Sequence, residues 1–127
     1  MAIRVVVVPY FQRPDQYSRL IEGDYMQPQE LLKRMKTRQS PIVLDVRSGI
    51  EFRNGHIPGA RHSPALKILL RLAPIPSDRD TELVLTCEHG PRAQLAKGLL
   101  GIFGYRNVAL LAGHMAGWRQ AGHSQEK

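Results

Sequence analysis

Short apolar runs alternate along this chain with segments whose apolar residues return at helical spacing, the pattern of an α/β protein. The first run, Ile3-Arg-Val-Val-Val-Val8, is β-branched, ends at Pro9 and predicts a strand. Tyr10 to Glu22, with Pro14, Asp15 and two arginines, reads as a polar connector. A short strand at Tyr25 precedes Pro28-Gln-Glu30, which opens a helix through Leu31, Leu32 and Met35. Proline early and cations late is the asymmetry that helices favour. Ile42-Val43-Leu44 is apolar at every position and predicts a strand covered on both faces, as in a parallel sheet. Pro64 to Leu72 again shows near-helical spacing, and Pro74 to Asp80 is a loop. Leu83-Val84-Leu85 repeats the buried-strand pattern, after which Leu95, Leu99, Leu100 and Phe103 predict the sheet-facing stripe of a helix. Asn107 to Leu111 predicts a further strand, Gly113 to Ala121 a last short helix, and Gly122 to Lys127 a frayed tail.

Candidate chemistry lies where the Leu83–Leu85 strand runs out. Cys87, the only cysteine, sits there, and in open α/β sheets ligands bind outside the carboxyl ends of the strands. Gly90 permits a backbone shape that turns peptide N–H groups toward one point, and Pro91 suits the first turn of the next helix. A sulfur held there would face the positive end of the helix, with Arg92 adding a permanent charge, an arrangement suited to a nucleophilic cysteine. Glu88 works against it and is expected to face solvent. The competing reading of an isolated Cys87 is a small apolar core residue.

Composition narrows the picture. The chain has 127 residues, enough for one domain with a single core. One cysteine excludes an internal disulfide framework, fits a reducing, cytoplasmic setting, and leaves no second thiol to resolve an oxidised Cys87. The net charge of +7 comes from arginines spread along the chain, and its densest cluster, Lys33 to Arg38, reads as a solvated helix end. No aromatics interleave with it, so no nucleic-acid partner is expected, although the basic field would draw small anions. The apolar runs are too short to span a bilayer, and Met1 to Arg13 does not make a secretory signal. Five histidines lack the paired spacing of a zinc site, and neither a metal nor a cofactor is expected.

Cys87-Glu-His-Gly90-Pro-Arg92-Ala93 resembles the active-site loop of the rhodanese family, Cys-x-x-Gly-x-Arg followed by Ser, Thr or Ala. Asp45-Val-Arg47, with Phe52-Arg-Asn-Gly-His56-Ile-Pro-Gly-Ala60, is similar to that family's upstream signature. Leu111-Ala-Gly113-His114-Met-Ala-Gly-Trp118 is similar to its closing Gly-Gly-x-x-x-Trp segment, with His114 in place of the second glycine. The motifs occur in family order, which makes coincidence improbable.

The resemblance implies a rhodanese-like α/β domain over residues 23–122, with a central, mainly parallel sheet flanked by helices. Residues 1–22 would form an N-terminal arm with an extra strand at the sheet edge, and 123–127 a flexible tail. It further implies a sulfurtransferase in which Cys87 takes a sulfane sulfur from thiosulfate or another persulfide donor and passes it to cyanide, a thiol or a sulfur-carrier protein. Arg92 would stabilise the loop and developing charge, while Glu88, His89, Gly90, Pro91, Arg92 and Ala93 would form a bowl for the transferred sulfur. Asp45 and Arg47 are expected as scaffold, with Arg47 pairing with Glu51, and His56 as a turn-holding side chain. His89 and His114 would lie at the pocket mouth, where either could orient an anion at low pH. Three alternatives stay open: a sulfur-carrier or persulfide-sensing protein served by a protein partner, a catalytically idle interaction domain, and a phosphatase or arsenate reductase. The last is disfavoured because such relatives carry a Cys-to-Arg loop one residue longer.

Overall fold

A computed structural model describes residues 25–127, so the run Ile3–Val8 and the arm expected before Gly23 lie outside the described residues. Among the described residues, five strands and five helices occur in order: β1 (Tyr25–Met26), α1 (Pro28–Met35), β2 (Ile42–Asp45), α2 (Gly49–Asn54), β3 (Arg61–His62), α3 (Ala65–Leu69), β4 (Leu83–Thr86), α4 (Pro91–Ile102), β5 (Val108–Leu111) and α5 (His114–Gln120). The sheet order is β1-β5-β4-β2-β3 and every described pairing is parallel.

β4 is the centre of this sheet, paired with β2 along its length and with β5 on the other side. The apolar runs read as strands because both faces are covered, and their residues part between two cores at the period of two a strand imposes. Leu44, Leu83, Leu85 and Leu110 point toward Ile68 of α3 and Ala93, Ala96 and Leu100 of α4. Val43, Val84 and Leu111 point the other way, toward Leu31 of α1, Met115 and Trp118 of α5, and Ile57.

Of the stripe predicted on α4, Leu100 is in the core and Leu99 and Phe103 pack against it, whereas Leu95 departs from it. Ala93, Ala96 and Leu100 are the buried positions, whereas Leu95 is 60% exposed. Residues 93, 96 and 100 share one face of a 3.6-residue helix and 95 does not, and the two alanines let the helix axis approach the sheet closely. Part of the basic cluster is likewise engaged: Arg34 meets Glu82 through both guanidinium nitrogens, with Nη1 2.7 Å from Oε2, tying the end of α1 to the start of β4.

Residues 123–126, expected as a flexible tail, turn back onto the domain. The indole Nε1–H of Trp118 donates to the Ser124 carbonyl at 2.9 Å. His56 and Glu126 exchange two backbone hydrogen bonds of 2.9 Å each. No helix among the described residues is long and apolar enough to cross a membrane.

Candidate functional site

Because β2 and β4 are parallel and in register, Asp45 beside Thr86, they deliver Asp45, Arg47 and Cys87 to one edge of the sheet. The chain then turns through Glu88 and His89 into α4, whose N-cap, Gly90, takes φ +130°. An L side chain rarely adopts that conformation, so glycine is required at this point of the turn. Its product is a contact: the Gly90 N–H donates to Cys87 Sγ at 2.9 Å. Pro91 follows at the first helical position, where its lack of an N–H costs no hydrogen bond.

The loop is held from behind by the start of α5. The Met115 N–H donates to the Cys87 carbonyl at 2.9 Å, and the Ala116 N–H to the Glu88 carbonyl at 3.2 Å. The imidazole of His114 accepts the third bond, from the Cys87 N–H to Nδ1 at 3.3 Å. The free N–H groups of a first helical turn are thereby satisfied by the carbonyls of the loop. His114 is buried at the back of the loop, not at a pocket mouth, and burial together with nearby His89 pushes its pKa below the ordinary imidazole value. His89 itself is exposed at the loop tip. Ala93 faces the core beneath the loop.

The charged groups around the loop pair differently from the sequence expectation. Arg47 does not meet Glu51; it lies side-on to Asp45, with Nε 3.0 Å from Oδ1 and Nη2 2.8 Å from Oδ2, and Nη2 also donates to the Gly55 carbonyl at 2.8 Å. Two residues apart at one strand end, Asp45 is the nearer partner, and the Arg47 N–H bonds the same carboxylate at 3.0 Å. Glu51 is drawn away by the start of α2, where it closes a capping box with Ser48. From there its carboxylate takes Arg92 at two points, 2.7 and 3.0 Å. This bidentate pair holds the Glu51 pKa down to about 2, Arg92 being the largest cause.

Glu88 does not stand free in solvent. One oxygen meets Arg119 of α5 and the other lies 3.5 Å from Arg47 Nη1. These side chains, with Glu51, Asn54 and Gln125, line a polar recess of about 290 Å³ beside the loop. His56 is buried on the turn after α2, its Nδ1–H donating to the Phe52 carbonyl at 2.7 Å and its ring stacked on Phe52 at 3.6 Å.

Sequence reasoning did not single out Glu51 as Arg92's partner, nor Arg119. The one local signal that could have found it is the Ser48-x-x-Glu51 capping spacing, which puts a carboxylate at the start of a helix. Nothing local marks Arg119, whose partner lies 31 residues away.

The Rhodanese-like domain family model matches residues 27–121. A sulfurtransferase of Allochromatium vinosum is 32% identical over 94 residues, spanning 74% of this chain and 86% of its own length. The thiosulfate sulfurtransferase GlpE of Shewanella oneidensis is 32% identical over 90 residues, 71% of this chain and 87% of that protein. Among solved structures, the human single-domain sulfurtransferase TSTD1 superposes with a TM-score of 0.67 at 26% identity, covering 76% of this chain and 96% of that one. With a parallel sheet in which Cys87, Arg47 and Arg92 meet at one edge, and a family match over most of its length, the chain belongs to the rhodanese-like domain family.

Proposed function

We propose that this protein is a sulfurtransferase working through a persulfide on Cys87. The observation that carries the reading is the 2.9 Å donation from the Gly90 N–H to Sγ at the mouth of α4. An amide fixed by its helix turn stabilises negative charge on sulfur without reorganising during the reaction. In the first half-reaction the Cys87 sulfur attacks the outer sulfur of thiosulfate. The S–S bond of the donor breaks, its electron pair leaves on sulfite, and the new bond is the persulfide on Cys87. In the second half-reaction a nucleophilic acceptor, cyanide or a thiol, attacks the outer persulfide sulfur and returns Cys87 as the leaving group.

Arg92 is a positioning group in this scheme. Glu51 fixes its guanidinium at two points, which holds the first turn of α4 and its positive end beside the loop. Asp45, Arg47 and His56 act as scaffold, since their bonds run to strand end, loop carbonyls and one another's turn. The single cysteine supports a reducing compartment such as the cytoplasm.

A second reading is favoured by Glu88. Its carboxylate beside the site opposes a dianionic donor such as thiosulfate, and favours sulfur delivered as a persulfide by a thiol compound or carrier protein. The test is intact mass after incubation with thiosulfate or glutathione persulfide, with cyanide-dependent thiocyanate formation, for wild type and Cys87→Ser. One cyanide-labile sulfur on wild type alone, with turnover on thiosulfate, supports the first reading. Loading from the persulfide only supports the second, and no loading from either removes both.

A further inference from the structure

His114 occupies a backbone position that does not suit it. Its φ is +52°, one of two positive values among the described non-glycine residues, directly after Gly113 at φ +79°. For a residue with a Cβ this left-handed conformation costs on the order of 1 kcal/mol, and such strain persists where the surroundings hold it in place. Here the conformation carries the ring under the cysteine loop. Nδ1 accepts the Cys87 N–H at 3.3 Å, and the Nε2 edge lies against Gly90, 3.3 Å from where a Cβ on that glycine would stand. One ring therefore touches both residues that form the Gly90 N–H to Sγ contact.

The polarity of this arrangement is fixed by chemistry. An Nδ1 that accepts an N–H carries no proton, so the ring is neutral with its proton on Nε2. A second proton would have to go to Nδ1, turning the acceptor into a donor that faces another donor. The Cys87 amide, buried with the rest of its residue, would then lose its partner.

We propose that His114 is a positioning residue for sulfur transfer: in its neutral form it holds the Cys87 amide and backs Gly90 so that the Gly90 N–H stays aimed at Sγ, and protonation releases both. The role rests on the sulfurtransferase reading above. It makes the chain a sulfurtransferase that works at neutral pH and disengages in acid. The titratable groups facing the ring are His89 on the loop and Cys87 itself; His89 disfavours a second positive charge, as burial does. The Glu88 carboxylate on the same loop is occupied by Arg47 and by Arg119 of His114's own helix.

The test is the rate of Cys87 persulfide formation, read by intact mass, from about pH 5 to about pH 8 for wild type, His114→Ala and His114→Asn. Asparagine tolerates the left-handed conformation and offers an Oδ1 acceptor that does not titrate. His114→Ala is expected to load roughly 10-fold more slowly at every pH. His114→Asn recovers part of that loss and lacks the acid limb that wild type shows beyond the titration common to both. Superimposable pH profiles for wild type and His114→Asn would overturn the proposal while leaving the sulfurtransferase reading intact. Absence of any loading in wild type would overturn both. Long-range ¹⁵N NMR of the wild-type ring gives an answer that does not depend on variants folding. An unprotonated Nδ1 at neutral pH, shifting in step with the Cys87 amide on acidification, supports the role, and a protonated Nδ1 at neutral pH sinks it.

Discussion

Arg92 of α4 and Glu51 of α2 meet at two points, Nη1 to Oε1 at 2.7 Å and Nη2 to Oε2 at 3.0 Å, and this pair ties the first turn of α4, just after the cysteine loop, to α2. Its stability contribution is modest, because the two side chains are 45% and 34% exposed and water screens them. Its geometric contribution is larger, since a planar guanidinium on a planar carboxylate fixes where the helix start lies.

Glu51→Gln is therefore expected to cost about 1 kcal/mol or less of stability while slowing persulfide formation roughly 10-fold. The acid behaviour follows from the carboxylate's depressed pKa, about 2 against an ordinary 4.5. The contribution is fully present above the unfolded value and is lost as pH falls through the folded one. Acid denaturation of the two proteins should thus differ by a constant amount above about pH 5 and converge near pH 2. A constant gap throughout would show that the pair does not titrate with folding.

Removing the charge of Glu88 frees Arg47 and Arg119 to meet an incoming anion in the adjoining recess. Glu88→Gln should lower the KM for thiosulfate by roughly 3- to 10-fold, the effect of one charge in a partly solvated site, with little change in kcat. The gain should shrink with added salt. Steady-state kinetics with thiosulfate and cyanide at two ionic strengths decides it; an unchanged KM would mean the donor does not pass the recess.

The part of the site most legible in the sequence is the part built by continuous chain. Leu83 to Leu85 reads as a buried strand because both faces are covered, and Gly90-Pro91 announces the turn into α4 because few residues fit that backbone. α2 was not legible as a helix: it has six residues, none buried, so no apolar stripe exists to be found, and only the Ser48 capping box marks it. Leu95 looked like a sheet-facing residue because leucines usually are, but alanines at 93 and 96 take that face and set the closeness of the packing. Which arginines meet Glu51 and Glu88 was beyond reach, since Arg92 and Arg119 lie 41 and 31 residues from those carboxylates in the chain. His114's ring under the loop depends on a positive φ that no pattern of residue types announces.

The final segment is structural. Ending the chain after Gly122 removes the acceptor of the buried Trp118 indole N–H and the partner of the His56 backbone. An unsatisfied buried donor costs about 1–3 kcal/mol, so the melting temperature should fall by several degrees. Hydrogen exchange at the His56 amide should accelerate with it. An unchanged melting temperature would show that these bonds contribute nothing net.

Burial of neutral His114 also makes stability pH-dependent. Its folded pKa lies below the ordinary 6.5, so between the two values the unfolded chain binds the proton and the folded one does not. The stability present above 6.5 is thus lost progressively as pH falls below it. The difference in melting temperature between wild type and His114→Asn should narrow in favour of the variant from about pH 7.5 to about pH 5.5. Parallel curves would mean that the imidazole titrates alike in both states.

Gly90 and His114 should behave as a coupled pair. A side chain at position 90 meets two obstacles, the φ of +130° and the His114 Nε2 at 3.3 Å. Gly90→Ala is expected to lose about 1–3 kcal/mol and to slow sulfur loading, since it is the amide of this residue that points at Sγ. In a His114→Gly background the ring contact is gone and only the backbone cost remains, so the same substitution should be less damaging there. A double-mutant cycle on denaturant stability measures the difference, expected at about 0.5 kcal/mol or more for residues in contact. Strict additivity would place the whole penalty in the backbone of Gly90 and show that the imidazole gives way freely, which is incompatible with a ring that braces the loop.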